Sequence, residues 1–254
     1  MSQPFTSVSV IGSGNVATHI SRAFSLNGIK VSHVHSRTKE KAQELATKIG
    51  ASACELEVLP IRQLTVVCVS DDSIADVIDQ LPKETPVVYT SGSVGIDQIP
   101  EREYLGVFYP LQTLSKTASV DYSEIPILVE SENPEFQDRL LETAKLITSN
   151  HSIINSEQRR KLHLAAVWIN NFTNHIVHQA QQIAKEQKVD YKLLLPLLKE
   201  TIQKLEHQSA YNAQTGPARR GDENTISKHI NELEGRQQEL YKLLSKSIKE
   251  TYND

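Results

Sequence analysis

Between residues 7 and 130, short apolar runs alternate with longer stretches whose apolar residues recur at helical spacing. SVSVIG (7–12) reads as a buried strand. In NVATHISRAFSLNG (15–28), Val16, Ile20, Ala23 and Phe24 share one helical face, and Gly28 stands where a left-handed residue ends a helix. KVSHVHS (30–36) is a second strand, and TKEKAQELATKIG (38–50) a second helix with Thr38 at its N-cap. LTVVCVS (64–70), PVVYTSGS (86–93), YLGVFYP (104–110) and PILVE (126–130) read as further strands. DDSIADVIDQL (71–81) and NPEFQDRLLETAKLIT (133–148) read as helices. Strands alternating with helices imply parallel βαβ units and a doubly wound sheet.

Beyond about residue 150 the strand signal nearly vanishes. Residues 156–187 carry one long helical pattern, and 190–208 a second that Pro196 kinks or restarts. A loop-like stretch, 209–222, precedes a third helix over 223–252 with Gly235 inside it. The expected organisation is an α/β domain over 1–152 and an all-α domain over 153–254.

Composition narrows the function classes. The chain has 254 residues and a formal charge of −4, without a basic block, which argues against a nucleic-acid partner. No apolar run approaches the ~18–20 residues of a membrane span. The N-terminus MSQPFTS lacks a basic-then-apolar leader, and the two cysteines, Cys54 and Cys68, have no metal-ligand spacing. A cytoplasmic protein, with no membrane partner, is the expectation.

The chemistry begins at Gly12-Ser13-Gly14-Asn15-Val16-Ala17, a GxGxxG/A turn between the first strand and the first helix. The first glycine allows the tight turn and the second allows close approach of a diphosphate. The small third position lets helix and strand pack, and the helix N-terminus offers free N–H groups to the anion. These features define a Rossmann-type dinucleotide site. The second strand ends in His35-Ser36-Arg37-Thr38, without the carboxylate that would accept from the ribose hydroxyls of NAD. Ser36 and Thr38 can donate to a 2′-phosphate and Arg37 can pair with it, so the expected cofactor is NADP. Ser70 and Asp71, after the strongest strand, are expected beside the diphosphate and ribose. Ser91, in the turn Ser91-Gly92-Ser93, is expected near the nicotinamide.

The helical half offers a second set of groups. At about 100° per residue, His163, Ala166, Val167, Asn170 and Asn174 share a face, with Asn171 beside it. Facing a cofactor cleft, His163 is a candidate general acid for hydride transfer to C=O or C=N, with an Asn orienting the substrate. An interhelix hydrogen-bonding role suits the same residues. His175 and His178 lie one turn apart without a third ligand, so no metal site is expected. In Thr215–Asp222, Arg219 and Arg220 sit in a shaped turn that can clamp an anion, or can simply connect two helices with Asp222 as the cap.

GSGNVA (12–17), VSDDSI (69–74), TSGS (90–93), GVFYPLQT (106–113), HLAAVWINNF (163–172) and TGPARRGD (215–222) together resemble a known family. It comprises Rossmann-like NADP oxidoreductases with a C-terminal helical domain of unknown function, within the six-phosphogluconate dehydrogenase C-terminal-like superfamily. The resemblance implies cofactor on the N-terminal domain and helical domains paired into a homodimer. By position it implies catalytic roles for His163 and Asn171, and a small-molecule substrate held by Ser91, Gln112 and Arg220. Cofactor contacts are expected from Gly12, Ser13, Gly14, Asn15, Val16, Ser36, Arg37, Thr38, Ser70, Asp71 and Ser91. The alternative is a non-catalytic NADP-binding sensor or scaffold whose helices form an oligomer interface.

Overall fold

Eight strands form one sheet in the computed structural model, which describes residues 2–117 and 119–252. They are β1 (Ser7–Ile11), β2 (Lys30–His35), β3 (Ser52–Ala53), β4 (Leu64–Val67), β5 (Val87–Tyr89), β6 (Leu105–Pro110), β7 (Ile127–Ser131) and β8 (His151–Ile153). Their order is β3-β2-β1-β4-β5-β6-β7-β8. The chain runs outward through β2 and β3, then returns to β4 on the other side of β1. That reversal opens a crevice at the C-terminal ends of β1 and β4, where doubly wound sheets bind ligands.

All pairings are parallel except β6 with β7. Among its described residues, the segment between those two strands holds one 3-10 turn, Tyr122–Glu124, and no crossover helix, so β7 returns antiparallel. The parallel βαβ units expected from the sequence hold through β1–β6, and the antiparallel pairing of β7 adds to them. β8, which follows the helix closing β7, is an addition; its short, half-exposed run carries no apolar alternation.

Helices α1 (Asn15–Leu26), α2 (Lys39–Ile49), α3 (Ile74–Asp79) and α4 (Pro134–Lys145) cover the sheet. Strand alternation sends side chains to two cores. Val8 and Val10 of β1, Val66 of β4 and Phe108 of β6 pack with Ile20, Phe24, Phe136 and Leu140 of α1 and α4. Ile11, Val67 and Val107, on the opposite face, pack with Ile74 and Ile78 of α3. Each such fully buried side chain contributes about 1.5–3 kcal/mol.

Helix α5 (Ser156–Ala166) starts on a capping box, in which Asn155 accepts from Gln158 N at 2.9 Å. A π-helical turn, Val167–Phe172, follows, and then α6 (Thr173–Glu186). The single long helix expected over 156–187 therefore carries a wider turn in its middle.

By contact the chain divides into two compact units, Met1–Asn171 and Phe172–Asp254. The second contains α6, α7 (Leu195–Lys204), α8 (Ala210–Ala213), α9 (Pro217–Arg220), α10 (Glu223–Asn231) and α11 (Gly235–Tyr252). Pro196 restarts the chain in the first turn of α7, where its missing N–H costs nothing. Gly235 takes φ +52 and starts α11, which splits the helix expected over 223–252. Asp222 caps α10, accepting from Thr225 N at 3.0 Å, and Arg219 Nη1 donates to Tyr252 O at 2.6 Å. Among the described residues of this unit only Ala218, Ile226 and Ser245 are buried.

Candidate functional site

A cleft of about 840 Å³ lies over the crevice at β1 and β4, entirely within the first unit. Gly12 forms its floor at φ +123, with its N–H donating to His35 O at 2.8 Å. A Cβ there would stand 2.2 Å from Cys68 O, so only glycine allows β1 to turn beside β4. Burial pushes the Cys68 thiol up to about 12, which leaves this neighbour of the turn unreactive.

Gly14 N-caps α1 without a side-chain bond, and no acid occupies that helix's first turn. A Cβ on Gly14 would meet nothing within 4 Å. Protein packing therefore does not require this glycine; the open space beside uncapped helix N–H groups fits a bound anion. Ala17, at the third small position, is fully buried.

The far end of the cleft is cationic. Ser36, Arg37, Thr38 and Lys41 line it, and Ser13 Oγ lies 2.9 Å from Ser36 Oγ, tying the glycine turn to the end of β2. Among the described residues neither Arg37 nor Lys41 enters a salt bridge. The carboxylates lining the cleft, Asp71 and Asp76, come from the segment after β4. Lys41 was absent from the expected set, although it follows Arg37 by one helical turn.

At the other end stands a pair of side chains. Tyr109 Oη lies 3.0 Å from His163 Nδ1, with the rings edge-on at 6.1 Å between centroids. Tyr109 comes from β6 and His163 from α5. Gly92 lies against both; a Cβ on it would sit 2.6 Å from His163 Nδ1 and 2.8 Å from Tyr109 Cζ. Burial raises the Tyr109 pKa, the Arg159 charge opposes that, and Asp71 adds to it. The phenol is thus held neutral near pH 7 and able to donate. Gly92→Ala is expected to force this pair apart and destabilise the protein by about 1–3 kcal/mol, the usual cost of overpacking, in a denaturant titration.

The remaining expected residues divide. Gly12, Ser13, Gly14, Asn15, Val16, Ser36, Arg37, Thr38, Ser70, Asp71, Ser91, Gln112 and His163 all line the cleft. Ser91 Oγ also accepts from Ser93 N at 3.1 Å and Val94 N at 3.0 Å, so its hydroxyl shapes the turn. Ser93 Oγ donates to Asp71 Oδ2. Gln112 Oε1 accepts from Thr113 N at 2.8 Å, and the residue lines the cleft. Asn171 is exposed, accepts from Asn170 Nδ2 at 3.4 Å, and does not line this cleft. Arg220 belongs to the second unit, exposed at the end of α9. Among the described residues no group of three or more His, Cys, Asp or Glu is placed to hold a metal ion. Nor is any described helix long and apolar enough to cross a membrane.

Fold and glycine turn together define a Rossmann-type nucleotide-binding protein. Residues 7–91 match the family model described as NADP oxidoreductase coenzyme F420-dependent, and residues 125–248 match a domain of unknown function, DUF2520. A Bacteroides fragilis protein described as the "putative NADP oxidoreductase BF3122" is 36% identical, with a TM-score of 0.87 over 97% of this chain and 98% of that one. The chain belongs to this family of NADP oxidoreductases with a helical C-terminal domain. Protein TM1727 of Thermotoga maritima, 22% identical over 97% of this chain and 98% of its own, shares the fold with a TM-score of 0.73. So does 1-pyrroline-5-carboxylate reductase of Streptococcus pyogenes, at 12% identity, 97% and 95% coverage and a TM-score of 0.61. No curated protein matches the chain significantly.

Proposed function

We propose that the protein is an NADP-dependent oxidoreductase that transfers hydride to or from a small polar metabolite carrying a C=N or C=O group. The observation that carries this reading is the Tyr109–His163 pair, which stands at one end of a cleft whose other end is cationic. When bound, the cofactor supplies the hydride chemistry. The protein supplies the rest. The N-terminus of α1, with Gly14 leaving room, holds the diphosphate; Ser36, Arg37, Thr38 and Lys41 hold the 2′-phosphate. Ser70 and Asp71 lie toward the ribose. Ser91 and Gln112 orient the substrate, and the neutral Tyr109 phenol, bonded to His163 Nδ1, provides the proton that accompanies hydride addition. A panel of small imines, ketones and aldehydes, followed by NADPH absorbance, tests this reading. Turnover of one panel member supports it; NADPH binding without any turnover favours the sensor or scaffold alternative.

We further propose that the protein acts in the cytoplasm as a homodimer joined through its helical unit. Leu197 is 65% exposed, Ile202 57% and Ile176 46%, and few residues of that unit are buried within the chain. A soluble protein rarely leaves such apolar helix faces uncovered. A second copy covers them by self-complementary contact, the commonest oligomeric arrangement. Analytical ultracentrifugation is expected to give twice the chain mass of 28.4 kDa, and Leu197→Glu to shift the population toward single chains. A single-chain mass for the unaltered protein contradicts the dimer.

A further inference from the structure

Arg159 is the bulkiest fully buried side chain among the described residues, and it lies one helical turn before His163 on α5. Every nitrogen of its guanidinium is engaged. Nε and Nη2 donate to Glu130 Oε2 at 3.1 and 2.8 Å, and Nη2 reaches Ser156 Oγ at 3.2 Å. Nη1 donates to Ser91 O at 2.8 Å and to Val94 O at 2.7 Å, the two ends of the Ser91–Val94 turn. Ser156 Oγ donates to Glu130 Oε1 at 2.6 Å and accepts from Ile96 N at 3.1 Å. One ion pair thus ties together α5, β7 and the turn after β5.

A buried ion pair is poor evidence for added stability, because desolvating both charges offsets most of their attraction. Its geometry has another use. The turn it grips carries Gly92, which leaves no room for even a methyl group against His163 and Tyr109. A drift of a few tenths of an ångström at Ser91 or Val94 would alter the Tyr109–His163 distance. The same guanidinium grips the turn while its helix carries His163.

We propose that Arg159, neutralised by Glu130, is a positioning residue that fixes the Ser91–Val94 turn against the Tyr109–His163 pair and so holds that hydrogen bond in register. The inference rests on the cleft being the nicotinamide site, and it assigns Arg159 no contact with cofactor or substrate. Lysine cannot replace it. A single ammonium on a flexible stem cannot span Glu130 and two backbone carbonyls in one plane.

The test is ¹⁵N NMR of histidine-labelled full-length protein, with the His163 signals assigned by their loss in His163→Gln. In the unaltered protein His163 Nδ1 is expected to show the shift of a hydrogen-bonded ring nitrogen, and Tyr109→Phe to abolish it. Arg159→Lys is expected to keep the near-ultraviolet circular dichroism of the native fold while losing that signature. Ser156→Ala, a milder cut in the same network, is expected to weaken it and serves if Arg159→Lys does not fold. A folded variant of either kind whose His163 spectrum is unchanged overturns the inference. Failure of both to fold makes the pair a structural brace and overturns it equally. The underlying reading fails separately, if the unaltered protein binds no NADPH.

Discussion

Tyr109→Phe and His163→Gln are each expected to lower the rate of hydride transfer by about 10²- to 10⁴-fold, the usual contribution of a positioned general acid. Both variants should fold, because Phe fills the space of Tyr and Gln keeps a polar group at the mouth of the cleft. NADPH affinity should stay within a few fold, since both side chains stand at the opposite end of the cleft from Ser36, Arg37, Thr38 and Lys41. The double variant should lose little more than either single one, because two groups that act as a unit are not additive. Burial raises the Tyr109 pKa, so the phenol remains protonated through the neutral range and loses its proton only in strong alkali. Reduction should therefore persist across neutral pH and decline as pH rises through the raised Tyr109 pKa. The check is single-turnover absorbance with a substrate from the imine and carbonyl panel. Rates within a few fold of the unaltered protein in both variants would remove Tyr109 and His163 from the chemistry and leave the pair a structural contact.

The second large effect concerns the phosphate end. Arg37→Ala is expected to weaken NADPH binding roughly 10- to 100-fold, since a hydrogen bond to a charged group contributes about 1.5–3 kcal/mol. NADH binding should barely change, because NADH lacks the 2′-phosphate. Lys41→Ala should act in the same direction with a smaller effect, as a point charge without a planar fork. Both residues are exposed, so salt will screen their contribution and the preference for NADPH should narrow as ionic strength rises. Fluorescence titration of the two cofactors against each variant separates the cases. Equal losses for NADPH and NADH in Arg37→Ala would place that residue against a part the two share.

How much of this was legible in the sequence depended on whether the cause was local. The Gly12–Ala17 turn could be read because each position answers to a requirement of a few neighbouring atoms, and Gly12 does sit against Cys68 O. The absence of an acid after β2 was likewise a matter of adjacent residues. His163 stood out as a polar group within Leu162–Val167 and lines the cleft. Tyr109 falls in the GVFYPLQT segment (106–113) on which the resemblance rests, but its pairing with His163 comes from β6 lying beside β5 and bringing it to Gly92, a long-range register that no local pattern carries. The face projected through His163, Ala166, Val167, Asn170 and Asn174 shows the limit of helical projection. The expected face assumed about 100° for every residue, whereas the π-turn Val167–Phe172 alters the angle just beyond His163. Arg159 was hidden among Glu157, Gln158, Arg160 and Lys161, a run that reads as a solvated face until the fold buries one member of it. The reversal of β7 depended on a missing crossover helix, and the break at Gly235 on a positive φ, neither of which periodicity encodes.

Calorimetric titration of the unaltered protein with NADPH and, separately, with NADH is the most direct trial of the cleft as a site for the phosphorylated cofactor. The expected result is saturable heat with one NADPH per chain and clearly weaker binding of NADH. Folded protein that gives no heat with NADPH, or that binds both cofactors equally, contradicts it.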